Sequence, residues 1–128
     1  MVKNLTPHPV RVRIKRFSTL PHYDEEGWME PPPFWEEDVI FPPEGIVPRV
    51  ETIETPSTEV EGIPTVTRKT GRVVGLPEPQ EGVFFLVSSL VFEASERTDL
   101  LAPDTGKSCI RDEHGNIVAV TRFVRKEQ

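Results

Sequence analysis

The apolar positions of this chain fall into short, separate patterns. Val10-Arg11-Val12-Arg13-Ile14-Lys15 alternates strictly. Val10, Val12 and Ile14 share one face and the three cations share the other, which predicts a half-buried strand. Residues 46–55 and 65–74 read as two strands of a hairpin around the turn Glu61-Gly62, with Pro48 marking an edge or bend. Residues 75–94, GLPEPQEGVFFLVSSLVFEA, hold the densest apolar run. They predict a proline turn, a strand over 83–87 buried on both faces, a capping serine, and a helix over about 89–98. No capping box accompanies that serine, because Phe92 occupies the position where Glu or Gln would close it. Residues 109–112 and 117–125 predict a last pair of strands around the turn at Gly115-Asn116. Both faces of 117–125 are apolar, so that strand is expected in the interior.

Residues 17–39 have another texture. They contain Pro21, Pro31, Pro32, Pro33, Trp28 and Trp35, with Asp24, Glu25, Glu26, Glu30, Glu36, Glu37 and Asp38. This predicts an inserted arm or long hairpin, with Trp28, Phe34 and Trp35 available for packing on a neighbour or on the chain itself. The fold expectation is therefore a single mainly β (α+β) domain over 1–128. It would be an antiparallel sandwich or partly open barrel of about six strands with one short helix. No strand–helix alternation points to a parallel sheet.

Composition narrows the function classes. Fourteen prolines in 128 residues shorten helices and favour ordered loops. A net charge of −6 argues against general DNA or RNA binding, which draws on a basic surface. The lone Cys109 excludes an intrachain disulfide and fits a reducing cytoplasm. No leader pattern and no membrane-length apolar run is visible. Two asparagines, two glutamines and two methionines, with proline-rich loops, suggest a heat-adapted source.

No enzyme constellation stands out. His8, His22 and His114 are scattered without metal-ligand spacing, and no phosphate-binding or nucleophile-elbow glycine motif occurs. No metal or cofactor is expected, and Cys109 reads as a buried, inert thiol. A small phosphodiesterase is the enzyme reading, and it would need a metal or a histidine pair. A different set suits an anion. Asn4, Thr6 and His8 lie in a proline-fixed turn, and Arg49, Arg97 and Arg111 lie near element ends. Ser88 and Ser89 open the helix, while Asp99 and Asp112 could orient arginines or accept from ribose. Phe84, Phe85 or an arm tryptophan could stack a base. The alternative is that Arg97–Asp99 and Arg111–Asp112 are structural ion pairs.

The blocks NLTPHPV, FPPEGIVPRV, GLPEPQEGVFFLVSSLVFEA, RTDLLAP and IRDEHGNIVAV resemble a family of small proteins from tailed phages, prophages and actinobacterial genomes. The resemblance covers about 4–16 and 41–120, and 17–39 is longer here than the family's short hairpin. It implies a phage-encoded protein of the host cytoplasm. By analogy of size and setting it points to anti-defence sponges, which bind nucleotide immune signals without cleaving them. Three expectations follow: a homo-oligomeric sponge for an anionic nucleotide-like ligand, an accessory or virion protein acting through the 17–39 arm, and, last, an enzyme.

Overall fold

The computed structural model describes residues 1–127. In chain order these form β1 (Val2–Asn4), β2 (Val10–Phe17), β3 (His22–Tyr23), β4 (Met29–Glu30) and β5 (Phe34–Phe41). There follow β6 (Arg49–Val60), β7 (Ile63–Val74), β8 (Phe84–Leu86) and the helix α1 (Ser89–Ala94). The chain ends with β9 (Leu100–Pro103), β10 (Ile110–Arg111), β11 (Ile117–Ala119) and β12 (Phe123–Arg125). The protein is mainly β with one short helix, in several open sheets.

The central sheet has the order β1-β8-β9-β12. Its β1–β8 and β8–β9 pairs are parallel, and β9–β12 is antiparallel. Continuous apolar runs suit parallel strands because both of their faces are covered. Phe85, Val87, Leu100 and Ala102 form the core with Leu5 and with Val91 and Phe92 of α1. Val50 and Val73, at the root of the β6–β7 hairpin, pack on the same core. Leu86 and Leu101 alternate to the opposite face and are buried as well.

Several expectations shift. Val2–Asn4 and Leu100–Pro103 are strands; the sequence pattern marks no strand before Val10 and takes residues 96–103 as the exit of the helix. The reason is pairing: β1 and β9 are short runs stabilised by flanking β8, not by any periodicity of their own. The helix stops at Ala94, because Ser95 turns to extended backbone (φ −111°, ψ 147°). Its cap is Ser88, whose hydroxyl accepts from the Val91 N–H. The expected last strand is broken. Val120 bridges to Val12, and β12 swings away to the central sheet. Ile117, Val118 and Val124 are 40–44% exposed, so this segment is not interior throughout.

The 17–39 arm is the outer part of a long hairpin. β5 pairs with all eight residues of β2, from Val10↔Phe41 to Phe17↔Phe34, and the small β3–β4 pair continues beyond. The second hairpin, β6–β7, has strands of 12 residues and turns at Glu61-Gly62, both with positive φ.

Candidate functional site

The NLTPH turn is built around one amide. Asn4 is 1% exposed. Its Nδ2 donates to the His8 carbonyl and to the Phe41 carbonyl, each at 2.8 Å. Its Oδ1 accepts from the Thr6 N–H at 2.9 Å and lies 2.6 Å from the Thr6 hydroxyl. All of its hydrogen-bonding capacity is used internally. Asn4 and Thr6 therefore tie β1 to the foot of the arm. The His8 ring is exposed on the rim of a groove described below.

The three candidate arginines do not converge. The Arg97 guanidinium donates from Nε and Nη2 to the two Asp99 oxygens, at 2.9 and 2.6 Å, and from Nη1 to the Pro77 carbonyl at 2.6 Å. Its plane lies 5.8 Å from the centroid of Phe85, which is 1% exposed. A ring so enclosed has no face to offer a base, so the expectation of base stacking at Phe85 is overturned. Hydrogen bonding from Arg97 holds the Asp99 carboxyl below the usual carboxylate range, against the opposing pull of partial burial. Arg111 sits in the β10–β11 hairpin and donates to the Gly115 and Thr105 carbonyls. Asp112 does not pair with it. Asp112 instead accepts from the His114 and Asn116 N–H groups and shapes the hairpin turn. Arg49 opens β6 and makes no hydrogen bond or ion pair to any other side chain among the described residues. Ser88 is committed to the cap, and Ser89 begins a helix of six residues.

The cationic face of β2 is answered by β5. Asp38 accepts from Arg13 at 2.8 and 3.2 Å and from Arg11 at 3.2 Å, while Glu37 pairs with Arg16. The Lys15 ammonium lies 4.7 Å from the Phe34 centroid. These cross-strand pairs follow from the register. Hydrogen bonding from Arg13 keeps Asp38 below its ordinary range.

Beyond that ladder the arm turns apolar and acidic. Leu20, Trp28 and Met29 are 70–75% exposed, and Phe17, Tyr23, Phe34 and Trp35 are half exposed or more. The Asp24 carboxylate accepts from the Glu26 and Trp28 N–H groups and fixes the turn. At the opposite end of the hairpin lies a groove of about 730 Å³, walled by Val10, Ile40, Pro103 and residues 117–120. Its polar lining is His8, Arg11 and Thr105. The sequence pattern did not single out this groove. Its one signal was the two-sided apolar character of 117–120, which reads as an interior strand.

Among the described residues no three His, Cys, Asp or Glu side chains gather as a metal site requires, and no buried side-chain polar atom lacks a partner. No helix there is long and apolar enough to cross a membrane. Comparison with protein families, curated proteins and solved structures finds no match.

Proposed function

We propose that this protein is a non-catalytic binding protein that works through protein contacts of its arm. The setting is that of a phage accessory protein, as the NLTPH and GLPEPQ blocks suggest. One observation carries the reading. The arm tip presents Trp28, Met29 and Leu20 to solvent at 70–75% exposure, on a hairpin stiffened by eight register pairs and the Arg13–Asp38 fork. Large aromatic and methionine side chains supply most of the energy at protein interfaces. A monomer that kept them in water would carry an uncovered apolar patch.

The test is a photo-crosslinking amino acid in place of Trp28 in cells making the protein. Covalent adducts to protein support the reading. Irradiation that leaves only the free chain sinks it.

A sponge for an anionic nucleotide has narrower support. Arg49 is a guanidinium without a side-chain partner among the described residues, but Asn4, Arg97, Asp99 and Asp112 are engaged in internal bonds. Native mass spectrometry on gently purified protein decides it. Retained nucleotide-like mass, lost in Arg49→Ala, would favour the sponge over the arm.

A further inference from the structure

We infer that the groove at the foot of the arm seats the arm tip of a second copy of this chain, so that copies join head to tail. This rests on the reading of the arm as a contact element, and it names the partner.

The tip and the groove occupy opposite ends of one hairpin. The Val10↔Phe41 pair stands at the foot and Phe17↔Phe34 at the far end. At about 3.4 Å per residue the two lie roughly 24 Å apart, and the tip extends further still. None of the groove's walls comes from residues 17–35. A tip held out by its own hairpin cannot fold back into the groove at that hairpin's root. Only another molecule's tip can reach it.

The two surfaces match in chemistry. Between residues 17 and 35 the chain carries Asp24, Glu25, Glu26 and Glu30 and no lysine or arginine. Along the chain these carboxylates flank Trp28 and Met29, which with Leu20 are the most exposed of the arm's large side chains. The groove is the converse. Its walls are apolar, its charged and titratable groups are Arg11 and His8, and no carboxylate lines it. Arg11 spends one N–H on Asp38, at 3.2 Å, which leaves further donors at the rim for an incoming carboxylate. A volume of about 730 Å³ falls in the range of about 300–1,000 Å³ that seats a drug-sized molecule, so an indole and a thioether fit together. Ile40, Ile117 and Val118, exposed by 40–50%, would be covered in the process. Because the tip differs from the groove, the contact is heterologous and propagates to a ring or an open filament.

The experiment is light scattering and sedimentation on full-length protein, its Trp28→Ala and Val118→Glu variants, and an equimolar mixture of the two. Ile40→Glu serves as a second groove variant should Val118→Glu alter the near-UV dichroism. Wild-type protein is expected as a species larger than a dimer, and each variant alone as a monomer. The mixture should recover a one-to-one heterodimer, since it retains one intact tip and one intact groove. A wild-type monomer up to its solubility limit overturns the inference. So does a groove variant that assembles like wild type, which would mean tip-to-tip contact. The crosslink at position 28 separates this failure from that of the arm reading. An adduct to a different protein keeps the arm and removes the self-docking, and no adduct removes both.

Discussion

Arg97 closes a two-point fork on Asp99, two residues along the chain, and ties the pair to the Pro77 carbonyl of the loop before β8. Both side chains are about three-quarters buried or more. Removing one partner leaves the other partly desolvated and unmatched. Asp99→Asn or Arg97→Met should therefore destabilise the fold by about 2 kcal/mol, read from urea unfolding at neutral pH. Anion binding, if measured, should change only as far as stability does.

The same fork sets a pH dependence. Asp99, Asp38 and Asp104 all have carboxyl pKa values lowered in the fold, first by hydrogen bonds from Arg97, Arg13 and Arg122. A depressed carboxyl contributes stability that is full above its unfolded value, about 3.9, and is lost as pH falls through the lower folded value. The urea midpoint should hold from neutral pH to about pH 5 and fall below about pH 4. Asp99→Asn should lose part of that acid sensitivity, and an unchanged acid limb would show that Asp99 contributes none of it.

Asn4 is the second structural anchor. Asn4, itself 1% exposed, is the side-chain donor to the Phe41 carbonyl and the acceptor for the Thr6 N–H, and Asn4→Ala removes both, while the His8 carbonyl keeps the Thr6 hydroxyl at 2.9 Å. A loss of about 2–3 kcal/mol is expected. Asn4→Asp should fare little better, because a carboxylate cannot donate to two carbonyls. Amide exchange in residues 39–41 should accelerate in both variants, since the arm's foot is tied through Phe41.

The turn of the second hairpin holds a correctable strain. Glu61 has φ 52° and is followed by Gly62 at φ 78°. A left-handed backbone costs an ordinary L-residue roughly 1–2 kcal/mol, and asparagine tolerates it better. Glu61→Asn should raise the unfolding midpoint, whereas Gly62→Ala should lower it.

Trp28 offers the opposite case. At 70% exposure it contributes little to its own fold, so Trp28→Ala should leave thermal stability within about 0.5 kcal/mol measured under dilute conditions. Wild-type fluorescence should shift to the blue as the protein is concentrated, and that shift should vanish in the variant.

Local signals carried a good part of the architecture. The strict alternation at 10–15 predicted β2, the Glu61-Gly62 pair lies at the tip of the β6–β7 hairpin, and the serine pair supplied the cap of α1. Each is decided by neighbours within a few residues, through pleat, turn backbone and capping. The apolar run at 83–87 also showed that its strand is covered on both faces, as Phe85 and Leu86 are.

Non-local partners decided the rest. Val2–Asn4 and Leu100–Pro103 became strands because β8 offers both of its edges to them in parallel, across long stretches of chain. Arg97 and Arg111 share a residue type and a place near element ends. Yet one found a carboxylate and the other found carbonyls, because a side chain's partner is set by what the fold brings within about 3 Å. The sequence by itself determined the hairpins, the cap, the two-faced central strand and the aromatic, acidic character of the arm, since these depend on period and local backbone preference. Only the tertiary structure decided which polar groups are spent internally and that an apolar groove lies at the foot of the arm, since both depend on distances between segments far apart in the chain.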